Sequence, residues 1–289
     1  MMSIKDALRD AEQKKIAIGH FNISDLAGLQ GIVAAARELG VPVIIGVSEG
    51  ERKFIGAALV VALIQSMREE LNHPIFLNAD HTKSLGGCAE AATLGFDAVI
   101  FDGSKLSLEE NIRESKAVVE AVRKINPDIV VEGELGYIGS SSEIREGIPE
   151  GAAISPEDFT KPEEAARFVK ETGVDLLAPA VGNIHGMMAN APEPNLDIKR
   201  ITDLAARTGI PMVLHGASGN TDLDIRAAVT AGMRIVHINT EIRVAWRRGL
   251  EASLRAFPKE VAPYKILPGA ILGVKAVVAA KLRVFNRLD

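Results

Sequence analysis

Eight short apolar runs rich in β-branched residues return along this chain at intervals of roughly 25 to 40 residues, with helical stretches between them. They read KIAIGHF (15–21), VPVIIGV (41–47), PIFLNA (74–79), FDAVIF (96–101), DIVVEG (128–133), VDLLAPA (174–180), IPMVLHG (210–216) and RIVHIN (234–239). Near-continuous apolar character is what a strand needs when both of its faces are buried. Between the runs, DLAGLQGIVAAARELG carries apolar residues at helical spacing and stops at a glycine. SLEENIRESKAVVEAVRKI opens with a capping box, Ser107 and Glu110. AARFVKETG, ITDLAARTG and DIRAAVTAG also end in glycine. Repeated strand–helix units imply a parallel sheet. Eight of them in about 250 residues suggest a closed (β/α)8 TIM barrel, with a doubly wound open sheet as the rival. No proline- or serine-rich linker divides residues 1–289, so one barrel domain with a C-terminal helical extension is expected.

Composition narrows the class. With only 4% aromatic residues, Ala, Val, Ile and Leu must fill the core. A net charge of −5 argues against general nucleic-acid binding, which needs a basic face. One cysteine, Cys88, excludes an intramolecular disulfide and fits a reducing, cytoplasmic setting. The opening MMSIKDALRDAEQKK is too charged for a signal peptide, and no apolar run is long enough to span a membrane. The closest, GAILGVKAVVAAKL, carries two lysines spaced as on a surface helix packed against a core.

In a (β/α)8 barrel the chemistry sits at the C-terminal strand ends. Strand three ends in Asp80-His81, strand four in Asp102-Gly103-Ser104, strand five in Glu132-Gly133-Glu134. Strand six runs into GNIHG with His185, strand seven ends in His215-Gly216, and strand eight in Asn239-Thr240-Glu241. Any one of these histidines has a bland reading as a hydrogen-bonded structural residue. Three on one rim, His81, His185 and His215, point to a metal site. Three neutral imidazoles and an open position suit catalytic zinc. His20 and His237 also fall near strand ends, whereas His73 precedes a strand and is expected on the opposite rim. Gly182, Gly186, Gly216 and Gly219 would let the backbone approach a substrate closely. HGASG and the helix start at INTE could turn backbone N–H groups toward a phosphate, although simple turn chemistry explains such clusters equally well.

In order, NADHTKS, FDGS, VEGELGYIG, VGNIHG, VLHGASG and HINTEIR resemble the motifs of the class II, zinc-dependent ketose-bisphosphate aldolases, which include the fructose- and tagatose-bisphosphate enzymes. The resemblance runs from about residue 5 to the final helix. It implies one catalytic zinc held by His81, His185 and His215, and Asp80 as the proton-transfer residue. In the cleavage direction the metal polarises the ketose carbonyl, Asp80 takes the C4 hydroxyl proton and the C3–C4 bond breaks. Protonation of the resulting enediolate gives dihydroxyacetone phosphate. Gly182, Gly216, Ser218 and Thr240 match positions that hold its phosphate, and Asn22 and Ser48 match substrate-side positions. Asp102 and Glu134 match carboxylates of an alternative metal position or of the metal's surroundings; support of ligand histidines is the blander reading. A homo-oligomer, dimer or tetramer, is also implied.

Four departures stand out. His237 replaces a usual asparagine that contacts the enediolate, with Asn239 two residues later on the same strand face. Ala217 replaces a common glycine, and Thr82-Lys83 replace glycine and a small polar residue. After strand five, SSSEIREGIPEGAAISPEDF lacks the usual diglycine and acidic residue. Glu143 is the nearest carboxylate that could exchange the proton at C1 of the product, with Glu146 next, unless the loop is merely solvated. A Schiff-base aldolase would need a buried lysine on a strand such as strand six, which has none. A metal-dependent hydrolase barrel would usually carry two histidines at strand one, where IGHFN has one. A catalytically silent sugar-phosphate sensor would not need Asp80. The expected substrate is fructose 1,6-bisphosphate, with tagatose 1,6-bisphosphate or another phosphorylated ketose as the alternative.

Overall fold

The computed structural model describes residues 2–139 and 142–288. Its main sheet is a closed, all-parallel barrel of β1 (Ile18–Asn22), β2 (Val43–Val47), β3 (Ile75–Thr82), β4 (Ala98–Phe101), β5 (Val130–Leu135), β6 (Leu176–Pro179), β7 (Met212–Leu214) and β8 (Met233–Ile238). All eight apolar runs are strands, and each is hydrogen-bonded to its neighbours in sequence, with β8 closing onto β1. The (β/α)8 barrel expected from the spacing is therefore the fold.

Outside the barrel lie α1 (Ile4–Lys14), α2 (Leu26–Leu39), α3 (Glu49–Ile55), α4 (Ala57–Leu71), α5 (Leu85–Leu94), α6 (Leu108–Ile125), α7 (Pro162–Thr172), α8 (Ile198–Thr208), α9 (Asp222–Ala231), α10 (Thr240–Ala256), α11 (Pro263–Ile266) and α12 (Pro268–Asn286). Their ends follow the local chemistry. Ser107 caps α6 reciprocally with Glu110, and α2, α5, α7 and α8 stop at glycines in the left-handed conformation. The charged opening segment is α1, with a capping box of Ser3 and Asp6. Its Ile4, Ala7, Leu8 and Ala11 pack against Ile18, Ile44, Phe76 and Val130 of the barrel, sealing the end away from the strand C-termini. GAILGVKAVVAAKL lies in α12, whose Val274, Val278, Leu282 and Phe285 are buried. The helix packs against α2 and α10. A Cβ at Gly31 of α2 would stand 2.7 Å from Ile271 O, and one at Gly249 of α10 2.2 Å from Gly269 O, so these contacts require glycine. No described helix is long and apolar enough to cross a membrane.

Cys88 is buried in α5, and burial pushes its thiol up to about 12. The thiolate is the reactive form, so at pH 8 the side chain is expected to be inert in the folded protein. Ellman's reagent should release thiol only after unfolding in guanidinium; rapid stoichiometric release in native buffer would contradict the burial.

Candidate active site

Stepping two residues at a time up each strand divides the barrel interior into three tiers, because alternate side chains share a face. The lowest tier is wholly apolar: Ile18, Ile44, Phe76, Ala98, Val130, Leu176, Val213 and Ile235. Two residues on, the second tier holds His20, Asn78, Glu132, His215 and His237, all buried. Two further on come Asn22, Ser48, Asp80, Asp102, Glu134 and Asn239. His20 and His237 thus lie near the C-terminal ends of β1 and β8, as expected, one tier below the rim. His73 precedes β3 and bonds Val41 O at 2.9 Å, away from this group.

Asp80 and His81 do not sit on a turn beyond β3 but within its last residues. Adjacent residues of a regular strand point to opposite faces, so with Asp80 inward His81 should point out into the helix layer. Two features turn it back. His81 has φ +42°, in the left-handed region that costs a non-glycine residue about 1 kcal/mol or more, and the β3–β4 register shifts between Ala79 and Thr82. Its ring thereby lies 4.8 Å from the His185 ring and 5.0 Å from that of His215, centroid to centroid.

Each of the three imidazoles offers a nitrogen within 4.8 Å of the others. His81 Nδ1 donates to Asp102 Oδ2 at 3.3 Å and lies 3.4 Å from Glu134 Oε2, which leaves Nε2 for the centre. His215 uses the opposite nitrogen: Nε2 bonds Glu132 Oε1 at 2.7 Å, and Nδ1 is buried without a protein partner. Nε2 of His185 is also buried and unpartnered. Buried polar atoms without partners mark a place where a ligand belongs. Imidazole nitrogens that converge, two of them backed by carboxylates, are the donor set of a divalent transition metal. The residues therefore fit a metal ion. His81, Asp102 and Glu134 form a second convergent group beside it.

Electrostatics sort the titratable groups. Burial alone would lower His81, but the Asp80, Asp102 and Glu134 carboxylates outweigh it and hold the imidazole well above its ordinary range. Burial pushes His20 down to about 4 and keeps His185 and His237 well below the usual value, so all three are neutral. Burial would raise Asp80, yet the surrounding histidines and a 2.8 Å hydrogen bond from Asn22 Nδ2 to Oδ2 win, and it stays well below the usual carboxylate range. Asp80 Oδ1 has no hydrogen-bond partner.

A cavity of about 350 Å³ opens above these groups, with Asp80, His81, Asp102, His185 and His237 on its floor. Of the expected substrate positions, Asn22, Ser48, Gly186, Gly216 and Ser218 are on its wall, as are Asn239 and Thr240 at the start of α10. Gly182 is not; its φ of +99° serves a close approach in which a Cβ would lie 2.3 Å from Asn195 O. Glu143 is not on the wall either: its side chain is 58% exposed and paired with Arg145 at 3.3 Å. In this structure the expected loop acid therefore stands outside the cavity. Its backbone instead joins a two-stranded ribbon, Ile144–Arg145 with Met187–Met188, that ties the loop after β5 to the loop carrying His185.

Several groups were not foreseen. Glu51 is 6% exposed and joins three parts of the site: Asn22 Nδ2 donates to it at 2.9 Å, Ser48 Oγ at 2.8 Å and Arg243 Nη2 at 2.7 Å. Ser48-x-x-Glu51 is a capping box readable in the sequence. Glu132, named only as a strand-end residue, backs His215, and its position two before Glu134 is the signal that both face inward. Arg243 and Lys83 also reach the cavity.

Barrel and site together define a (β/α)8 protein whose converging imidazoles could hold a metal ion, with a carboxylate beside them. The family profile described as fructose-bisphosphate aldolase class-II matches residues 2–289. A probable fructose-bisphosphate aldolase of Bacillus subtilis (strain 168) is 35% identical over 289 residues, covering 99% of this chain and 98% of that protein. The fructose-bisphosphate aldolase of Geobacillus stearothermophilus is 35% identical over 290 residues, covering 99% and 97%. Among solved structures, the YdjI aldolase of Escherichia coli K12 superposes with a TM-score of 0.81 at 30% identity, covering 99% of this chain and 97% of that one. The chain belongs to the class-II fructose-bisphosphate aldolase family, and it is an aldolase, a carbon–carbon lyase.

Proposed function

We propose that this enzyme is a zinc-dependent aldolase that cleaves a phosphorylated ketose, fructose 1,6-bisphosphate first and tagatose 1,6-bisphosphate second, to dihydroxyacetone phosphate and an aldehyde such as glyceraldehyde 3-phosphate. The observation that carries the reading is the free Oδ1 of Asp80 on the floor of the cavity, beside the three converging imidazoles. His81, His185 and His215 would hold the zinc, with Asp102 and Glu134 behind His81 as support or as a second metal position. When bound, the metal supplies Lewis acidity to the ketose carbonyl.

The chain's own groups do the rest. Asp80 Oδ1, ionised and fixed through its other oxygen by Asn22, accepts the C4 hydroxyl proton. The C4–O bond becomes a carbonyl, the C3–C4 bond breaks, and its electron pair forms the enediolate over C2 and C3. A proton delivered to C3 completes dihydroxyacetone phosphate. Its phosphate would lie against Gly216, Ser218 and Thr240, where α10 begins at the cavity wall. Gly182 supports that corner through the backbone packing it permits. His237 and Asn239 would face the enediolate end, and Asn22 and Ser48 the aldehyde half. Glu143 would have to leave Arg145 to take part in proton exchange.

Residues 1–289 would act as one catalytic barrel, cytoplasmic and homo-oligomeric. The buried free thiol of Cys88 and the exposed apolar side chains Phe257, Val261, Tyr264 and Leu272 support this. Zinc-loaded protein offered fructose 1,6-bisphosphate, tagatose 1,6-bisphosphate and fructose 1-phosphate should release dihydroxyacetone phosphate, with the highest kcat/KM on the first. A higher value on another ketose would move the substrate assignment. No release from any of them would overturn the reaction.

A further inference from the structure

The second tier of the barrel contains an unbroken run of hydrogen bonds and stacked rings. Asn78 Nδ2 donates to His20 Nε2 at 3.1 Å. The His20 ring lies flat on His237, with centroids 3.5 Å apart and an interplanar angle of 1°. His237 in turn covers His215 at 4.0 Å and 30°, and His215 bonds Glu132 at 2.7 Å. The barrel register makes this stack, since His20 and His237 are directly paired on β1 and β8. On the other side, Gly46 makes room: a Cβ there would stand 2.1 Å from His20 Cε1.

We infer that His20 is a positioning residue, which sets the plane and height of His237 beneath the reacting end of the substrate. The inference rests on the functional reading above for what lies over His237. His237 reaches the cavity and its Nδ1 stands 3.8 Å from Asp80 Oδ1, whereas His20 does not line the cavity, although one of its nitrogens also comes within 4.8 Å of the Asp80 carboxylate. Packing alone does not account for the pair. His20 Nδ1 and His237 Nε2 are both buried without a partner, a desolvation cost that an apolar side chain would avoid. What the imidazole at position 20 adds is a flat face whose orientation is fixed by Asn78 at its edge. A slight tilt of His237 would change its distance to Asp80 and to the enediolate, and small misplacements near the chemistry are costly.

The test is a double-mutant cycle of His20→Asn and His237→Asn, read as kcat/KM on fructose 1,6-bisphosphate with metal content measured alongside. His20→Asn should lower kcat/KM by roughly tenfold or more at unchanged metal content. The same replacement in the His237→Asn background should change it by less than about twofold, because the residue it works through is gone. Equal losses in both backgrounds, as general destabilisation would give, overturn the proposal, and so does no loss in the otherwise native protein. His20→Gln, which keeps an amide within reach of Asn78, replaces the asparagine variant if that fails to fold. An activity-independent reading is the NMR signal of the His237 Cε1 proton in metal-free protein, which should move when the stacked ring is removed. An unmoved signal also sinks the inference. If the unsubstituted enzyme cleaves no ketose, the functional reading fails, while the NMR shift still decides whether His20 holds His237.

Discussion

His185→Ala is expected to lose its metal and at least about a thousandfold in kcat/KM while folding nearly as well as the parent. The Lewis acid supplies several kcal/mol of stabilisation to developing charge, and each 1.36 kcal/mol is about tenfold in rate. His185 is 8% exposed and its Nε2 has no protein partner, so truncation leaves no carboxylate stranded. In chelator, the metal-free variant should therefore be within about 1–2 kcal/mol of the metal-free parent. His215→Ala makes the contrast. It also removes the metal, but it leaves Glu132, 2% exposed, without the imidazole that bonds it at 2.7 Å. Breaking such a buried pair costs about 3–5 kcal/mol, so this variant should be clearly less stable even without metal. Metal analysis and denaturant melts in chelator separate the two. Full metal occupancy in His185→Ala would remove it from the ligand set, and equal stability of both variants would dismiss the bracing role of Glu132.

Asp80→Asn should keep the metal and lose roughly 10²–10⁴-fold in kcat, the range of general acid–base catalysis. The amide preserves shape and can still accept the Asn22 hydrogen bond, but it cannot take a proton on the atom where Asp80 Oδ1 stands free. The pH dependence has a definite sign. Because the folded carboxyl lies below its ordinary value, the aspartate is ionised throughout the neutral range, and the stability it contributes is present above the unfolded pKa of about 3.9 and lost only as pH falls through the folded value. An acid limb in kcat near pH 6 would therefore belong to another group and should survive in residual Asp80→Asn activity. Normal kcat in the variant would end the assignment of Asp80 as the proton acceptor.

The strands could be read from the chain because each is buried on two faces, which writes a continuous apolar run. His81, His185 and His215 could be read because strand ends are visible as the places where those runs stop. The second tier was harder. Which residues of eight strands stand at one level depends on inter-strand register, and that is a property of the closed barrel, not of any one segment. His20 and Asn78 look like ordinary interruptions of apolar runs until β1, β3 and β8 are brought together. Nor does any local pattern announce the left-handed backbone at His81, since a histidine has no preference for it comparable to glycine's. The surroundings of Glu143 were hidden for a related reason: its pairing with Arg145 depends on how the loop after β5 meets the loop after β6.

The sealed lower tier has a consequence for how such an enzyme can be altered. Its eight apolar residues and α1 form a dry keel that no substrate reaches, so the free energy that holds the barrel shut is generated away from the chemistry. A protein engineer seeking a new aldehyde partner could vary the exposed Lys83 on the cavity wall with little expected change in melting temperature, whereas Ser48 caps α3 and bonds the buried Glu51. Positions 20, 78, 132 and 237 offer no such freedom, because each side chain there is packed against the next across strand boundaries. Libraries restricted to the upper loops should thus retain a much larger folded fraction than libraries of equal size aimed one tier lower.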